Sequence, residues 1–282
     1  MQLYSHPLFL AQGRDFPGDE NSDRLFALRQ IIEQAERAFR RGDEENVELI
    51  ERLERHHSYI SDLKVRGPMI QCIDEERETF IDRLSYRTAC AAAATSIDAA
   101  LCEGFALVRP PGHHAHRDFT HGFCLVNNMV IAIEALLENG ERPLVLDIDI
   151  HHGCGTEELL EEKEDVYMIS PYQEGLWPGT NHFCYASNCL HIPLTETLTD
   201  RRYQQMFETQ VMPAIENWEP SIIGVSLGVD TFYDDKYGGK LSAQTIRRIR
   251  QHLKGRRVFG ILEGGYTDHS LSEGIHAFLE EP

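Results

Sequence analysis

The residues with the greatest potential for chemistry fall in four short segments, each following an apolar stretch typical of a buried strand. The segments are RPPGHHAHRDFTHGFCLVNN (109–128), DIDIHHGCGTEE (147–158), SLGVDTFYDDKYGG (226–239) and LEGGY (262–266). In α/β proteins, ligands bind outside the carboxyl ends of the strands. The positions of these segments therefore predict that their histidines, aspartates and tyrosine gather at one edge of a sheet.

The second segment indicates a metal site. Alternate side chains of an extended strand share a face, so Asp147, Asp149 and His151 are expected to point the same way. Carboxylates and an imidazole that converge at a strand end suit a divalent cation such as zinc. Asp230, at the end of another predicted strand, is a candidate third ligand, and such a set leaves coordination positions open for water and substrate. The alternative is a buried Asp–His hydrogen-bonded pair without a metal.

Three other residues are candidates for proton transfer and charge stabilisation. His113 and His114 follow two prolines and a glycine, which restrict the path of the loop. Adjacent histidines held in this way can act as general acids or bases near neutral pH. Tyr266, after two glycines, could donate a hydrogen bond to a developing oxyanion. The alternative for Tyr266 is a tyrosine packed in a turn.

The elements that must position these segments alternate between strands and helices after about residue 104. Strands are predicted at 105–108, 143–150, 165–170, 189–194, 221–227 and 257–262, and helices at 126–139, 156–162, 200–217, 242–253 and 270–280. A helical part precedes them over about 20–103, and its last helix is predicted from about 74 to 102. The alternation predicts a three-layer α/β/α fold with a mostly parallel sheet. We expect one domain over 1–282, with the motifs in a core of about 104–282.

Composition narrows the class of protein. The 282 residues include 27 Lys and Arg against 46 Asp and Glu, a net charge of −19, which argues against a nucleic-acid partner. No stretch has the length and apolar character of a membrane span, and the N-terminus lacks the pattern of a signal peptide. Seven cysteines without a C-x-x-C pair favour free thiols in a reducing compartment. The predicted location is cytoplasmic.

Taken together, the four segments resemble those of the histone deacetylase and acetylpolyamine amidohydrolase superfamily. The specific motifs are RPPGHHA…GFC…NN and D-x-D-x-HHG-x-GT, and the resemblance extends from about residue 104 to 275. It implies an arginase/deacetylase-like fold and a zinc-dependent amidohydrolase. The implied reaction is hydrolysis of the N-acetyl amide of acetyl-lysine or of an acetylated polyamine to acetate and a free amine.

The resemblance also implies a role for individual residues. Three side chains would bind one zinc ion: Asp149, His151 and Asp230. His114 would be the general base that activates the attacking water, and His113 would lie near the leaving group. Asp147 would orient His113, and Tyr266 would donate a hydrogen bond to the substrate carbonyl.

Further residues would shape the surroundings of the site. Three would wall a narrow apolar tunnel for the acylated side chain: Gly122, Phe123 and Trp177. Asp147 and Ser170 would contribute to a site for a monovalent cation, K⁺ or Na⁺. Cys154 departs from the family pattern, because Asp or Asn usually follows HHG and holds the second histidine. A thiol is a weaker hydrogen-bond partner, so His114 is expected to be less well oriented unless a partner comes from elsewhere.

Two functional interpretations from different classes remain. The first is the deacetylase, acting on an acetyl-lysine peptide or on a small acetylated amine; a polyamine enzyme would need a constricted, acidic entrance, often made by a dimer. The second is a metal-binding protein that recognises acyl amines with little or no catalysis, an interpretation that only Cys154 supports. A two-manganese hydrolase of the arginase type would require additional aspartates in convincing positions.

Overall fold

The structure, a computed structural model, describes residues 1–36, 46–65, 70–195 and 198–280. Within these ranges the strands are β1 (Leu3–Tyr4), β2 (Gln71–Cys72), β3 (Phe80–Ile81), β4 (Phe105–Ala106), β5 (Pro143–Asp147), β6 (Tyr167–Gln173), β7 (Cys189–Leu194), β8 (Ile222–Leu227) and β9 (Val258–Leu262). Seven of them form one parallel sheet in the order β1-β4-β9-β8-β5-β6-β7, and β2 pairs with β3 in an antiparallel hairpin.

Helices cover both faces of the sheet. In the described residues they are α1 (Arg29–Gln34), α2 (Val47–His56), α3 (Ile60–Val65), α4 (Ser85–Leu101), α5 (Asn128–Glu138), α6 (Cys154–Leu160), α7 (Asp200–Met206), α8 (Met212–Trp218), α9 (Ala243–His252) and α10 (Asp268–Leu279). A π-helical turn at Phe207–Val211 joins α7 to α8. The predicted three-layer α/β/α architecture is confirmed, and each of the six predicted strands is present with its ends shifted by no more than three residues.

The central strands are apolar because both of their faces are covered. Every residue of β5, β8 and β9 is buried, as expected for parallel strands between two helical layers. The alanine-rich helix α4 packs against α5 and β9. Its small side chains, among them Ala91, Ala92 and Ala93, are fully buried and allow close approach.

The helix predicted from about 74 to 102 is wrong in its first eleven residues. Residues 71–81 form the β2–β3 hairpin, because the carboxylate of Asp74 accepts hydrogen bonds from the backbone N–H groups of Glu78 (3.0 Å) and Thr79 (2.9 Å). The helix begins only at Ser85, after Asp82 has accepted a hydrogen bond from the N–H of Leu84 (2.8 Å). Short polar side chains that bond to nearby backbone compete with helix in this way.

The strand predicted over 143–150 ends at Asp147. The N–H of Asp149 donates to Asp147 Oδ1 (3.1 Å), and the N–H of His151 donates to Asp149 Oδ1 (2.9 Å). These bonds turn the chain away from extended geometry. The prediction that Asp147, Asp149 and His151 share a face of one extended strand is therefore wrong. The turns after Asp147 bring Asp149 and His151 together instead.

Strand β1 was not predicted, because two residues carry too little periodicity to be recognised. It pairs in parallel with β4, Leu3 opposite Phe105 and Tyr4 opposite Ala106. Within the described residues, none of the helices combines the length and apolar character that crossing a membrane requires.

Candidate active site

A cavity of about 230 Å³ opens at the carboxyl edge of the sheet. It brings together nine residues predicted from the sequence: His113, His114, Gly122, Phe123, Asp149, His151, Trp177, Asp230 and Tyr266. Three other predicted residues, Asp147, Cys154 and Ser170, are fully buried and do not line the cavity. The four segments thus meet at one edge, as their positions after strands predicted.

Asp149, His151 and Asp230 form a compact group of metal-ligating atoms. One ligand atom from each lies within 4.8 Å of those of the other two. His151 Nδ1 is 3.0 Å from Asp149 Oδ1 and 3.3 Å from Asp230 Oδ2. Both aspartates are 1 % exposed. The N–H of Gly264 donates to Asp149 Oδ2 (2.9 Å), and a Cβ at this glycine would lie 2.2 Å from Asp230 Oδ2, so only glycine fits there.

The electrostatics of this group fit a divalent cation. Burial and the charge of Asp149 raise the pKa of Asp230 to about 7, because two buried carboxylates that face each other repel when both are ionised. Asp230 Oδ2 is buried and makes no hydrogen bond within the described part of the chain. Two carboxylates and one imidazole match the donors that zinc accepts, and three protein ligands leave a position open.

His113 and His114 lie side by side, with ring centroids 3.9 Å apart, but their environments differ. His113 Nδ1 lies 3.1 Å from Asp147 Oδ2, and its Nε2 lies 3.9 Å from Asp149 Oδ2. Burial lowers the pKa of His113, but the charges of Asp149 and Asp147 outweigh it and raise the pKa to about 10. His113 is therefore an imidazolium in this arrangement.

His114 faces an uncharged partner. Its Nδ1 lies 3.4 Å from the sulfur of Cys154, and burial raises the pKa of that thiol, which keeps it protonated. Burial and the charge of His113 hold the pKa of His114 well below its ordinary value. The structure thus has one charged and one neutral histidine at the base of the cavity, which is the pairing that proton donation and proton abstraction require.

Tyr266 lies across the cavity on the turn after β9. Its ring centroid is 5.5 Å from that of Phe123 and 4.9 Å from that of Tyr237. Burial raises the pKa of Tyr266 well above its ordinary value, so the side chain stays a phenol that can donate a hydrogen bond.

Comparisons with known proteins agree with this geometry. A family model described as the histone deacetylase domain matches residues 19–281. The chain belongs to the histone deacetylase family. A solved structure titled HDA15 HD domain superimposes with a TM-score of 0.83 at 25% identity, covering 98% of this chain and 86% of that one. The similarity extends over the whole α/β/α fold.

Two curated relatives are similar over more than half of the chain. Histone deacetylase 10, chloroplastic, of Oryza sativa subsp. japonica is 36% identical over 199 residues, which is 64% of this chain and 45% of the relative. A probable deacetylase of Archaeoglobus fulgidus is 34% identical over 186 residues, 59% of this chain and 51% of the relative. The chain thus matches about half the length of these relatives.

The wall of this histone deacetylase cavity depends on one glycine. Gly122 has φ +57°, and a Cβ there would lie 2.4 Å from the Trp177 ring and 2.8 Å from the His114 ring. The next residue, Phe123, also has positive φ and donates its N–H to Thr79 Oγ1 (3.0 Å). The three predicted tunnel residues thus all line the cavity, and Trp177 stands edge-on to His114 at 4.8 Å between centroids.

The residues predicted for a monovalent cation lie on neighbouring strands. Leu146 of β5 pairs with Ile169 of β6. Asp147 directly follows Leu146, and Ser170 directly follows Ile169. Ser170 Oγ is 2.8 Å from His152 Nδ1. Both residues are thus buried on adjacent strands and do not line the cavity.

Sequence reasoning assigned no role to Glu263, although it lies in the LEGGY segment. Its Oε2 accepts hydrogen bonds from the N–H groups of Gly112 (2.7 Å) and His113 (3.2 Å). Burial, with the charges of Asp147 and Asp149, raises the pKa of Glu263 to about 7. This carboxyl group holds the backbone that leads into the histidine pair. The sequence signal that could have identified it is an acidic residue directly after an apolar strand.

Two other residues that position Tyr266 were also missed. Asp235 Oδ2 accepts a hydrogen bond from the N–H of Tyr266 (2.7 Å). Arg24 donates from Nε to the carbonyl of Gly265 (2.8 Å), and its guanidinium carbon lies 4.6 Å from the Tyr266 ring centroid. Asp235 lies in a segment already singled out, whereas Arg24 is remote in sequence and carried no signal.

Proposed function

We propose that this chain is a zinc-dependent deacetylase that hydrolyses the N-acetyl amide of a small cationic amine, an acetylated polyamine in preference to an acetyl-lysine peptide. One observation supports the hydrolase function. The group of Asp149, His151 and Asp230 lies in the same cavity as one charged and one neutral histidine. We also propose that the chain acts as one catalytic domain. The cytoplasmic location stays a prediction.

In this proposal, Asp149, His151 and Asp230 would hold the zinc ion. When bound, zinc supplies polarisation of the amide carbonyl and lowers the pKa of the attacking water. His114, neutral and facing the cavity, accepts the proton of the water. His113, held as an imidazolium by Asp147, supplies positive charge and a proton beside the leaving amine.

Tyr266 donates its phenolic proton as a hydrogen bond to the oxygen on which negative charge develops. Phe123 and Trp177, which both line the cavity, receive the apolar part of the substrate and exclude water. K⁺ or Na⁺ beside Asp147 and Ser170 would balance buried carboxylate charge near the zinc ligands. Each of these roles is carried by a residue that the histone deacetylase resemblance assigned.

The preference for a cationic amine rests on the acidic entrance of the cavity. Glu76 and Glu78, from the turn of the β2–β3 hairpin, line the cavity while their side chains remain exposed to solvent. Partial burial and the charges of Asp74 and Glu76 raise the pKa of Glu78, because neighbouring carboxylates repel one another when they are ionised. An ammonium group of a bound polyamine would relieve this repulsion by pairing with the carboxylates.

The test is a comparison of substrates with a matched pair of variants. Release of acetate is measured for acetylputrescine, acetylspermidine, free acetyl-lysine and an acetyl-lysine peptide, with and without a chelator. Glu78→Gln should raise KM for the acetylated polyamine by about two- to fivefold. This change corresponds to the loss of one solvent-exposed ion pair, which contributes about 0.5–1 kcal/mol. Glu75→Gln, in the same loop but outside the cavity lining, should leave KM unchanged.

Three outcomes would contradict parts of the proposal. Turnover of the peptide alone would overturn the polyamine preference and leave the deacetylase intact. Turnover that a chelator does not affect would overturn the role of zinc. Zinc-loaded protein that binds acetylated amines without releasing acetate would replace the enzyme with an acyl-amine binding protein, for which the contact between His114 and the Cys154 thiol is the favouring observation.

A further inference from the structure

A second group of histidines lies beside the cavity, next to the rings of His114 and Trp177. His116, His121 and His182 each place a ring nitrogen within 4.8 Å of those of the other two. His116 and His121 belong to the motif-bearing loop, and His182 ends a short 3-10 turn at Thr180–His182. His116 and His121 are buried, each 2 % exposed, and His182 is partly buried.

The separation of the rings matches three imidazoles around one tetrahedral ion. The centroids are 5.2 Å apart for His116 and His121, 4.8 Å for His121 and His182, and 6.0 Å for His116 and His182. With Zn–N of about 2.0–2.1 Å and tetrahedral angles, the centroids of two coordinated imidazoles are expected about 5 Å apart. Small side-chain movements would bring all three nitrogens into coordination.

The hydrogen bond of His116 prepares it as a ligand. Its Nδ1 contacts the carboxylate of Glu158, so the proton lies on Nδ1 and the lone pair on Nε2. That Nε2 is buried and has no hydrogen-bond partner in the described residues. A histidine that donates one N–H to a carboxylate and offers its other nitrogen is the usual arrangement of a metal-bound imidazole. Burial opposes ionisation of Glu158, but its hydrogen bond with His116 prevails and lowers its pKa.

The surroundings pack the group tightly and favour a neutral His121. Phe119 stacks on His116, with centroids 4.3 Å apart and planes at 11°. Burial and the proximity of His116 and His182 lower the pKa of His121 to about 3. Unprotonated imidazoles that share one pocket are the form that binds zinc.

We propose that His116, His121 and His182 form a second site for a divalent transition metal, zinc in the first instance, separate from the site of Asp149, His151 and Asp230. The three nitrogens leave a fourth position for water. The ion would link the loop that carries His114 to the segment that carries Trp177. Trp177 precedes His182 by five residues. The ion would thereby hold one wall of the cavity in place.

Two neighbouring groups are weaker candidates. In the group of His152, Glu157 and His191, the carboxylate already bonds both imidazoles, at 2.9 Å and 2.8 Å. In the group of His114, His121 and Cys154, the sulfur already contacts both imidazoles, at 3.4 Å from His114 Nδ1 and 3.8 Å from His121 Nε2. Both groups are nevertheless testable by substitution.

The experiment counts zinc bound per chain. Full-length protein is stripped of metal, reloaded with Zn²⁺, passed over a chelating resin and assayed for zinc and protein. We expect two equivalents in the unaltered chain, one in His182→Gln and one in Asp149→Ala. Co²⁺ loaded into Asp149→Ala should give visible absorption of a four-coordinate site, and this absorption should disappear when His182→Gln is added.

Control variants separate the three groups of ligands. His191→Gln and Cys154→Ser should both retain two equivalents. Two equivalents in His182→Gln, or one equivalent in the unaltered chain, would overturn the proposal. Loss of the second equivalent in Cys154→Ser would overturn it in favour of the group with His114. The partly buried position of His182 favours folding of its variant, which its remaining zinc equivalent and circular dichroism would verify. Because the readout is zinc content, failure of deacetylation would not affect this test.

Discussion

Replacing Cys154 with aspartate should move the acidic limb of the pH–rate profile to higher pH. The two adjacent histidines differ in the group that faces Nδ1, which is Asp147 Oδ2 at 3.1 Å for His113 and Cys154 Sγ at 3.4 Å for His114. Against burial, the carboxylates raise the pKa of His113 to about 10. Burial and the charge of His113 lower the pKa of His114. The difference in pKa between His113 and His114 depends in part on the absence of a carboxylate at position 154.

The size of the shift follows from the new hydrogen bond. A hydrogen bond to a charged group contributes about 1.5–3 kcal/mol, and one pKa unit corresponds to about 1.4 kcal/mol. A carboxylate at position 154 should therefore raise the pKa of His114 by about one to two units. A general base must be unprotonated, so activity is lost below its pKa, and raising that pKa moves the limb upward.

The assay is kcat/KM on the best substrate over about pH 5 to 9 for the unaltered chain, Cys154→Asp and Cys154→Asn. Asparagine has nearly the same shape as aspartate but no charge, so its limb should stay close to that of the unaltered chain. Zinc content is measured at each pH, so that loss of metal is not mistaken for protonation of the base. Identical limbs in the Asp and Asn variants would refute the assignment of His114 as the base.

Three further predictions test other parts of the site and fold. Tyr266→Phe should lower kcat by about a hundredfold or more while zinc stays bound; an unchanged rate would remove Tyr266 from the mechanism. Asp149→Ala should lose the zinc held with His151 and Asp230, and metal analysis that finds this site still filled would contradict that ligand set. Glu134 lies 3.0 Å from His56 Nε2. Burial opposes ionisation of Glu134, but this bond and nearby arginines outweigh it and lower the pKa. The resulting stability is present above the unfolded pKa of about 4.3 and is lost as pH falls through the lower folded value. Glu134→Gln should therefore cost about 2–3 kcal/mol in urea unfolding at pH 7 and much less at pH 3; an equal cost at both values would contradict the ionic origin.

The strands of the sheet were predicted well because each is encoded by a short apolar run of consecutive residues. Strands such as Ile222–Leu227 are continuous apolar runs, buried at every residue, and the chemical residues follow them directly. The prediction failed where single side chains redirect the backbone. Asp74 folds residues 71–81 into a hairpin, and Asp147 ends its strand by accepting the N–H of Asp149. Such bonds depend on one geometry of one side chain, which periodicity does not reveal.

The N-terminal region, which lies outside the four motif segments, supports the turn that carries Tyr266. Arg24 donates to the carbonyl of Gly265 at 2.8 Å across 241 positions of sequence. Glu20 holds that arginine at 2.6 Å and the buried Arg109 at 2.7 Å. Removal of one partner from such a buried ionic group leaves an uncompensated charge, at a cost of about 3–5 kcal/mol. Glu20 and Arg24 thus support the turn of Tyr266, and the role proposed for Tyr266 depends on their packing as well as on the motif itself.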